Sequence, residues 1–185
     1  MMESERINVK EIIDRYYPLD NELKEIYMVH ARKVTELALE LAARHPELEM
    51  DVEFVEEAAM LHDLGIFMTD APRIHCHGNA QYLCHGYLGA EILRSLGHER
   101  HARVCERHTG TGLLKEQVIA NGWDLPAKDF LPETLEEQLI CFADKFYSKT
   151  KYLYAPRNLE QVIDSMLKIS EDSAEKIRKW AAMFM

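Results

Sequence analysis

Six positions in this chain carry side chains that could gather around an electrophile: His30, the adjacent pair His62 and Asp63, then His85, His108 and Asp144. Imidazole and ionised carboxylate together suit divalent zinc, iron and manganese. Burying such groups is costly unless they are paired, hydrogen-bonded or bound to a metal. A lone histidine on an apolar helix face is more often a core residue with its hydrogen bonds met than a ligand. That bland reading weakens here, because the same situation recurs along one chain and includes a His-Asp dipeptide.

Helical periodicity dominates the elements that must position these groups, and no convincing alternating strand is seen. "NELKEIYMVHARKVTELALELAARH" places Leu23, Tyr27, His30, Val34, Leu37 and Leu41 on one stripe, with the histidine inside it. A second helix runs from Asp51 through Val55, Ala58, Ala59 and His62, with Gly65 as its C-terminal stop. A loop from about Phe67 to Gly78 holds "RIHCHG", and "AQYLCHGYLGAEILRSLG" reads as a helix ending at Gly97. On that helix His85, Leu88, Ile92 and Leu96 share a face. A shorter helix, "HERHARVCERH", lines up Val104, Cys105 and His108 before "TGTG" breaks it. "PETLEEQLICFADKFYSKT" opens with Thr134 and Glu137 spaced as a capping box and sets Asp144 among Ile140, Ala143 and Tyr147. Two further helices follow, one after Asn158 and one from about Glu171. The expectation is an all-α helical bundle in one domain over 1–185, with a site-bearing core at about 20–150 and C-terminal helices at 151–185.

Composition narrows the function classes. The chain has 185 residues, 47% of them hydrophobic, and a net charge of −10. Such an acidic balance argues against a nucleic-acid polymer or a membrane surface as partner, since both attract clustered Lys and Arg. No apolar stretch approaches a membrane span, and "MMESERINVKEIIDRYY" lacks the build of a signal peptide. Four cysteines without a CxxC pair read as reduced thiols, so a cytoplasmic protein is expected.

The ordered segments "YMVHARKV", "AAMLHDLGI", "CHGYLGAEILRSLG", "CERHTGTGL" and "LICFADKF" resemble the HD-domain superfamily of metal-dependent phosphohydrolases, of the HDIG type. The resemblance covers about residues 20–150 and implies an all-helical fold. It implies that His30, His62, Asp63 and Asp144 hold one metal, and that Asp63 bridges to a second held by His85 and His108. Iron, manganese or zinc would fill the pair, with magnesium and cobalt as further candidates. His62 and Asp63 would then form the catalytic centre. The implied reaction is in-line attack of a metal-activated bridging hydroxide on a small phosphorylated substrate, a nucleotide above all. Two other activities share the ligand order: a di-iron oxygenase like myo-inositol oxygenase, and a non-catalytic domain that senses a nucleotide. The chain departs from many relatives in having Ile66 where they carry a lysine after the HD segment, which argues against a cyclic-dinucleotide substrate. It also lacks a paired His-His, since Thr109 follows His108.

Outside the six positions, Arg73, His75 and His77 in the loop are candidate phosphate contacts or proton donors. His101 is a weaker candidate for the second metal, and Arg107 beside His108 for substrate contact. Lys145 follows Asp144 by about 100° of helix rotation and is read as turned away from the chemistry. The apolar end "KWAAMFM" offers a face to a second copy in a homodimer, although closure over its own core is the preferred reading.

Overall fold

The computed structural model describes residues 6–185; the first five residues, part of the stretch read above for a signal, lie outside the described residues. Among the described residues nine helices follow in chain order: α1 (Val9–Tyr16), α2 (Glu22–Arg44), α3 (Val52–Leu61), α4 (His85–Ser95), α5 (Glu99–Arg107), α6 (Lys115–Asn121), α7 (Leu135–Asp144), α8 (Leu159–Leu167) and α9 (Glu171–Phe184). None of them is long and apolar enough to cross a membrane. The fold is all-α. The starts of these helices follow from side-chain caps: Asn21 accepts from the Lys24 amide, Asp51 from Phe54, and Thr134 and Glu137 form the expected capping box on α7.

The loop between α3 and α4 departs from the sequence reading. It contains a two-stranded antiparallel pair, β1 (Asp70–Ala71) with β2 (Cys76–His77), in which Asp70 faces His77 and Ala71 faces Cys76. Two residues per strand are too few for any alternation to be seen in the sequence. The helix read from "AQYLCHGYLGAEILRSLG" begins only at His85, after a 3-10 turn at Tyr82–Cys84. Its buried face is also rotated from the expected one. Gly86, Gly89, Ala90 and Leu93 are buried with His85, while Leu88, Ile92 and Leu96 are half-buried.

Close backbone approach explains that rotation. A Cβ on Gly65 would lie 2.3 Å from the His85 carbonyl oxygen, and one on Gly86 would lie 2.4 Å from that of Cys105. Gly65 is therefore not a left-handed helix stop; its φ is −86°. It is the point where α4 meets the turn after α3, and Gly86 is where α4 meets α5. Small residues here bring His85 within reach of both neighbours.

A small hydrophobic cluster gathers Leu113, Val118 and Phe130, and two large ones build most of the core. One joins the C-terminal half of α2, the start of α3, α7, α8 and α9, with Trp180 and Phe184 buried in it. The chain's apolar end thus closes over its own core, and Met183 and Met185 stay exposed. The other cluster joins α1, the start of α2, the end of α3, α4 and α5. Along α2, Tyr27 and Ala31 belong to the second cluster and Val34 and Ala38 to the first, which leaves His30 near the seam.

Candidate metal centre

Five of the six predicted positions stand at or beside helix ends. His62 follows the last residue of α3, His108 follows the last residue of α5, His85 opens α4, Asp144 ends α7, and Asp63 follows His62. A helix end leaves carbonyl oxygens without intrahelical partners; His62 and His108 each use one, and His85 uses a carbonyl of the 3-10 turn before α4. Nδ1 of His62 lies 2.6 Å from the Ala59 carbonyl, Nδ1 of His85 2.6 Å from that of Tyr82, and Nδ1 of His108 2.7 Å from that of Cys105. A carbonyl oxygen only accepts, so each Nδ1 carries the proton and each Nε2 is left to face inward. Fixing the tautomer through the outer nitrogen is how proteins orient metal-binding imidazoles.

The turn that carries His62 and Asp63 is held from outside itself. Tyr27 donates its hydroxyl to the Met60 carbonyl at 2.7 Å, and Tyr17 donates to that of Leu64 at 2.9 Å. Cys105 Sγ lies 3.1 Å from the carbonyls of both Leu61 and His62. These donors end α3 in place of the glycine the sequence suggested.

Asp63 is at the centre, and its two oxygens face different groups. Oδ2 lies 3.1 Å from His30 Nε2 and 3.1 Å from His62 Nε2. Oδ1 lies 3.2 Å from His85 Nε2 and 3.3 Å from His108 Nε2. Asp144 Oδ1 completes the first group, 3.0 Å from His30 Nε2 and 3.3 Å from His62 Nε2. Two sets of donors result, His30, His62, Asp63 and Asp144 on one side and Asp63, His85 and His108 on the other, each with its atoms within 4.8 Å.

The residues fit metal ions on two observations. Both Asp63 oxygens and His62 Nε2 are buried without a well-formed hydrogen bond among the described residues. Nε2 of His85 lies 3.0 Å from Nε2 of His108, although Nδ1 of each ring already holds its proton. Two lone pairs at that separation repel unless a positive charge lies against them. Histidine nitrogens and carboxylate oxygens are donors that zinc, iron and manganese accept.

The electrostatics agree. Burial alone would raise the Asp63 pKa, but His62 and Lys149 outweigh it and hold the carboxyl well below its usual range. Asp144 is held low in the same way, by Lys145 and His30 against burial. Burial pushes His62 down, yet Asp63 and Asp144 overcome it and lift the ring to about 10. His108 is pushed down to about 4, chiefly by burial. The side with two carboxylates therefore draws positive charge more strongly than the side with one.

The remaining candidates do not join the cluster. Arg73, His75 and His77 are exposed around the small hairpin, with His75 in a left-handed turn at φ 61°. Arg107 turns to the Leu131 carbonyl at 2.7 Å and to Glu133 at 3.0 Å, which occupies the group expected to meet substrate. His101 lies 3.1 Å from Glu57 and packs edge-on against Phe54, so it is not a ligand of the second group.

Two lysines were misjudged from sequence. Lys145 leaves α7 at a different angle from Asp144, but its amine folds back, buried, to the His108 carbonyl at 2.8 Å and to Asp144 Oδ2 at 2.6 Å. Lys149 was not singled out, yet its Nζ lies 2.6 Å from Asp63 Oδ2. The signal available for it was compositional, the run of cations without acids after Asp144.

Comparison with known proteins follows this geometry. Residues 27–148 match the HD domain family. An uncharacterized protein of Methanocaldococcus jannaschii is 42% identical over 136 residues, 72% of this chain and 73% of that protein. A tRNA (cytidine(56)-2'-O)-methyltransferase of Thermoplasma volcanium is 33% identical over 152 residues, 81% of this chain. The methyltransferase of the same name from Picrophilus torridus is 32% identical over 157 residues, 84% of this chain. The matched part spans 39% and 40% of those two proteins, about two fifths of each. Among solved structures, the HD domain of the phosphodiesterase PgpH of L. monocytogenes superposes with a TM-score of 0.52 at 16% identity, covering 93% of this chain and 94% of that one.

Proposed function

This chain belongs to the HD domain family, and on that premise we propose that it is a metal-dependent phosphohydrolase acting on a small phosphate ester, a nucleotide above all. The observation that carries the reading is Asp63, a buried carboxylate whose two oxygens each face a separate group of histidine Nε2 atoms. His30, His62, Asp63 and Asp144 would hold one divalent ion, and Asp63, His85 and His108 a second. When bound, such ions supply Lewis acidity toward phosphoryl oxygens and lower the pKa of water.

The chain's own groups do the rest. The carbonyls of Ala59, Tyr82 and Cys105 keep the proton on Nδ1 of His62, His85 and His108, so each Nε2 remains a donor to a cation. Lys145 ties Asp144 to the end of α5, which fixes the distance between the two groups. The buried setting, with His62 fully enclosed and Asp63 and His30 each 1% exposed, excludes bulk water and strengthens every charge interaction within it.

The PgpH domain is named a phosphodiesterase, in keeping with this chemistry. The methyl transfer named for the two archaeal relatives belongs to proteins of which the matched part is about two fifths. The acidic balance of the chain favours a small substrate over a nucleic-acid polymer.

The test is direct. Protein purified without chelator should carry close to two transition-metal ions per chain by mass spectrometry. With manganese, cobalt, iron or magnesium it should release phosphate or nucleotide from a panel of mono- and diesters. Silence across the panel with both metals bound would refute the hydrolase reading. Substrate-dependent oxygen uptake by the ferrous protein would replace it with the oxygenase chemistry that the same ligand order allows.

A further inference from the structure

The stretch from Lys145 to Arg157 carries four cations and no acidic residue, in a chain whose net charge is −10. It joins α7 to α8, and its own contacts close it on itself. The Arg157 amide donates to the Phe146 carbonyl at 2.7 Å, and the Ser148 amide to that of Tyr152 at 3.1 Å. The Arg157 side chain donates to the Lys145 carbonyl at 3.1 Å and lies over the Tyr152 ring at 4.8 Å. This strap holds Lys149 against the ligand cluster.

Lys149 and Lys145 differ in what remains to them. Lys145 is spent on Asp144 and the His108 carbonyl. Lys149 Nζ meets Asp63 Oδ2 and the hydroxyl of Tyr82. An ammonium has three donors, so one is left for an anion that reaches Asp63. Beside it stands Tyr82, whose ring stacks on His85 at 4.7 Å between centroids and 22° between planes. Lys149 Nζ is 5.8 Å from the centre of that ring, and Tyr82 is 37% exposed. A cation with a free donor and an open aromatic ring therefore stand together beside the Asp63 cluster.

We infer that Lys149 and Tyr82 form the substrate-recognition edge of this site, Lys149 binding the phosphoryl oxygens and Tyr82 stacking on the planar base of a nucleotide. The inference rests on the phosphohydrolase reading and adds to it the groups that select the substrate. The basic strap gives an otherwise acidic protein a local attraction for an anion. Stacking on an aromatic ring favours a nucleotide over a sugar phosphate without reading the identity of the base.

Calorimetry on the metal-loaded protein, with inorganic phosphate, ribose 5-phosphate and adenosine 5′-monophosphate as ligands, tests both halves. Lys149→Gln should weaken phosphate binding at least about tenfold with metal content and melting temperature retained, and Lys149→Arg should recover part of the loss. Tyr82→Leu should lower the affinity for the nucleotide to that for ribose 5-phosphate, with a smaller effect on inorganic phosphate, while Tyr82→Phe should keep the preference for the nucleotide over ribose 5-phosphate. Unchanged phosphate binding in Lys149→Gln, or loss of metal from it, would reduce Lys149 to a counter-charge for Asp63 and overturn the proposal. So would equal weakening of all three ligands by Tyr82→Leu, which would make the ring a prop for His85, or failure of the wild type to bind any of them. Binding that follows these expectations in a protein that cleaves no phosphoester would sink the hydrolase reading and leave the recognition edge standing.

Discussion

Asp63 and Glu106 are both buried carboxylates with positive neighbours, and they solve the cost of burial in opposite ways. Glu106, on α5 two residues before His108, meets Arg94 at 2.8 Å and Lys128 at 3.2 Å, both of which can only donate. Burial raises its pKa, but Arg94 and Lys128 outweigh that and keep it lowered. Every demand of that carboxylate is met by permanent donors, which makes it part of the scaffold. Asp63 has one permanent donor, Lys149 at 2.6 Å, and is otherwise surrounded by four imidazole Nε2 atoms at 3.1–3.3 Å, three of whose rings hold a proton on the far nitrogen. A carboxylate with four metal-binding imidazole nitrogens around it is arranged for a cation. Burial is shared by the two residues, so the donor or acceptor character of the neighbours separates structure from site.

The largest break in this contrast should come from Asp63→Ala. Metal content should fall from about two per chain to near zero, and the stabilisation that metal gives should vanish, about 3 kcal/mol when metal is at a hundredfold its dissociation constant. Melting curves with and without chelator measure both. In the metal-free state the variant should be less stable than the parent, by about 3 kcal/mol, because the buried Lys149 loses its carboxylate partner.

Glu106→Ala should do the reverse. It removes the buried partner of Arg94, which keeps Glu91 and Glu99, and should lower the unfolding free energy by about 2 kcal/mol, the scale for losing hydrogen bonds between charged groups. Metal content should remain at the wild-type value. Loss of metal from this variant would show that the scaffold and the site cannot be separated, even though Glu106 and His108 stand on the same short segment.

His85→Ala sharpens the division within the cluster. His30, His62, Asp63 and Asp144 do not depend on it, so one metal should stay and one should go. Equal loss of metal in His85→Ala and Asp63→Ala would contradict the bridging role of Asp63.

What could be read from sequence divides along similar lines. The stripes of α2, α3 and α7 were legible because their apolar positions recur at helical spacing, and that placed His30, His62 and Asp144 inward. The face of α4 was misread because its contacts are made by Gly86, Gly89 and Ala90, and periodicity counts large apolar residues rather than the small ones that permit close approach. The end of α3 was misread at Gly65 for a related reason: Tyr17, Tyr27 and Cys105, all remote in sequence or on other elements, supply its termination. Lys149 escaped notice because it lies in an irregular strap, where no periodicity says which way a side chain faces.

His101 provides the finest test, since it is a partly buried histidine on the same helix as Glu106 that belongs to neither arrangement. Burial, with help from His98 and Arg100, pushes it from 6.5 down to about 4. Its neutral ring can donate from Nε2 to Glu57, 3.1 Å away. Because the folded value is lower than the unfolded one, the unfolded chain binds the extra proton. The contribution is then intact above the unfolded value and is lost as pH falls toward the folded one, by about 1 kcal/mol at about pH 5.5. His101→Gln should therefore flatten the stability profile between pH 6.5 and 4 while leaving two metals per chain. If metal fell instead, His101 would belong with His85 and His108, and burial without acceptor-rich neighbours would no longer separate a core histidine from a ligand.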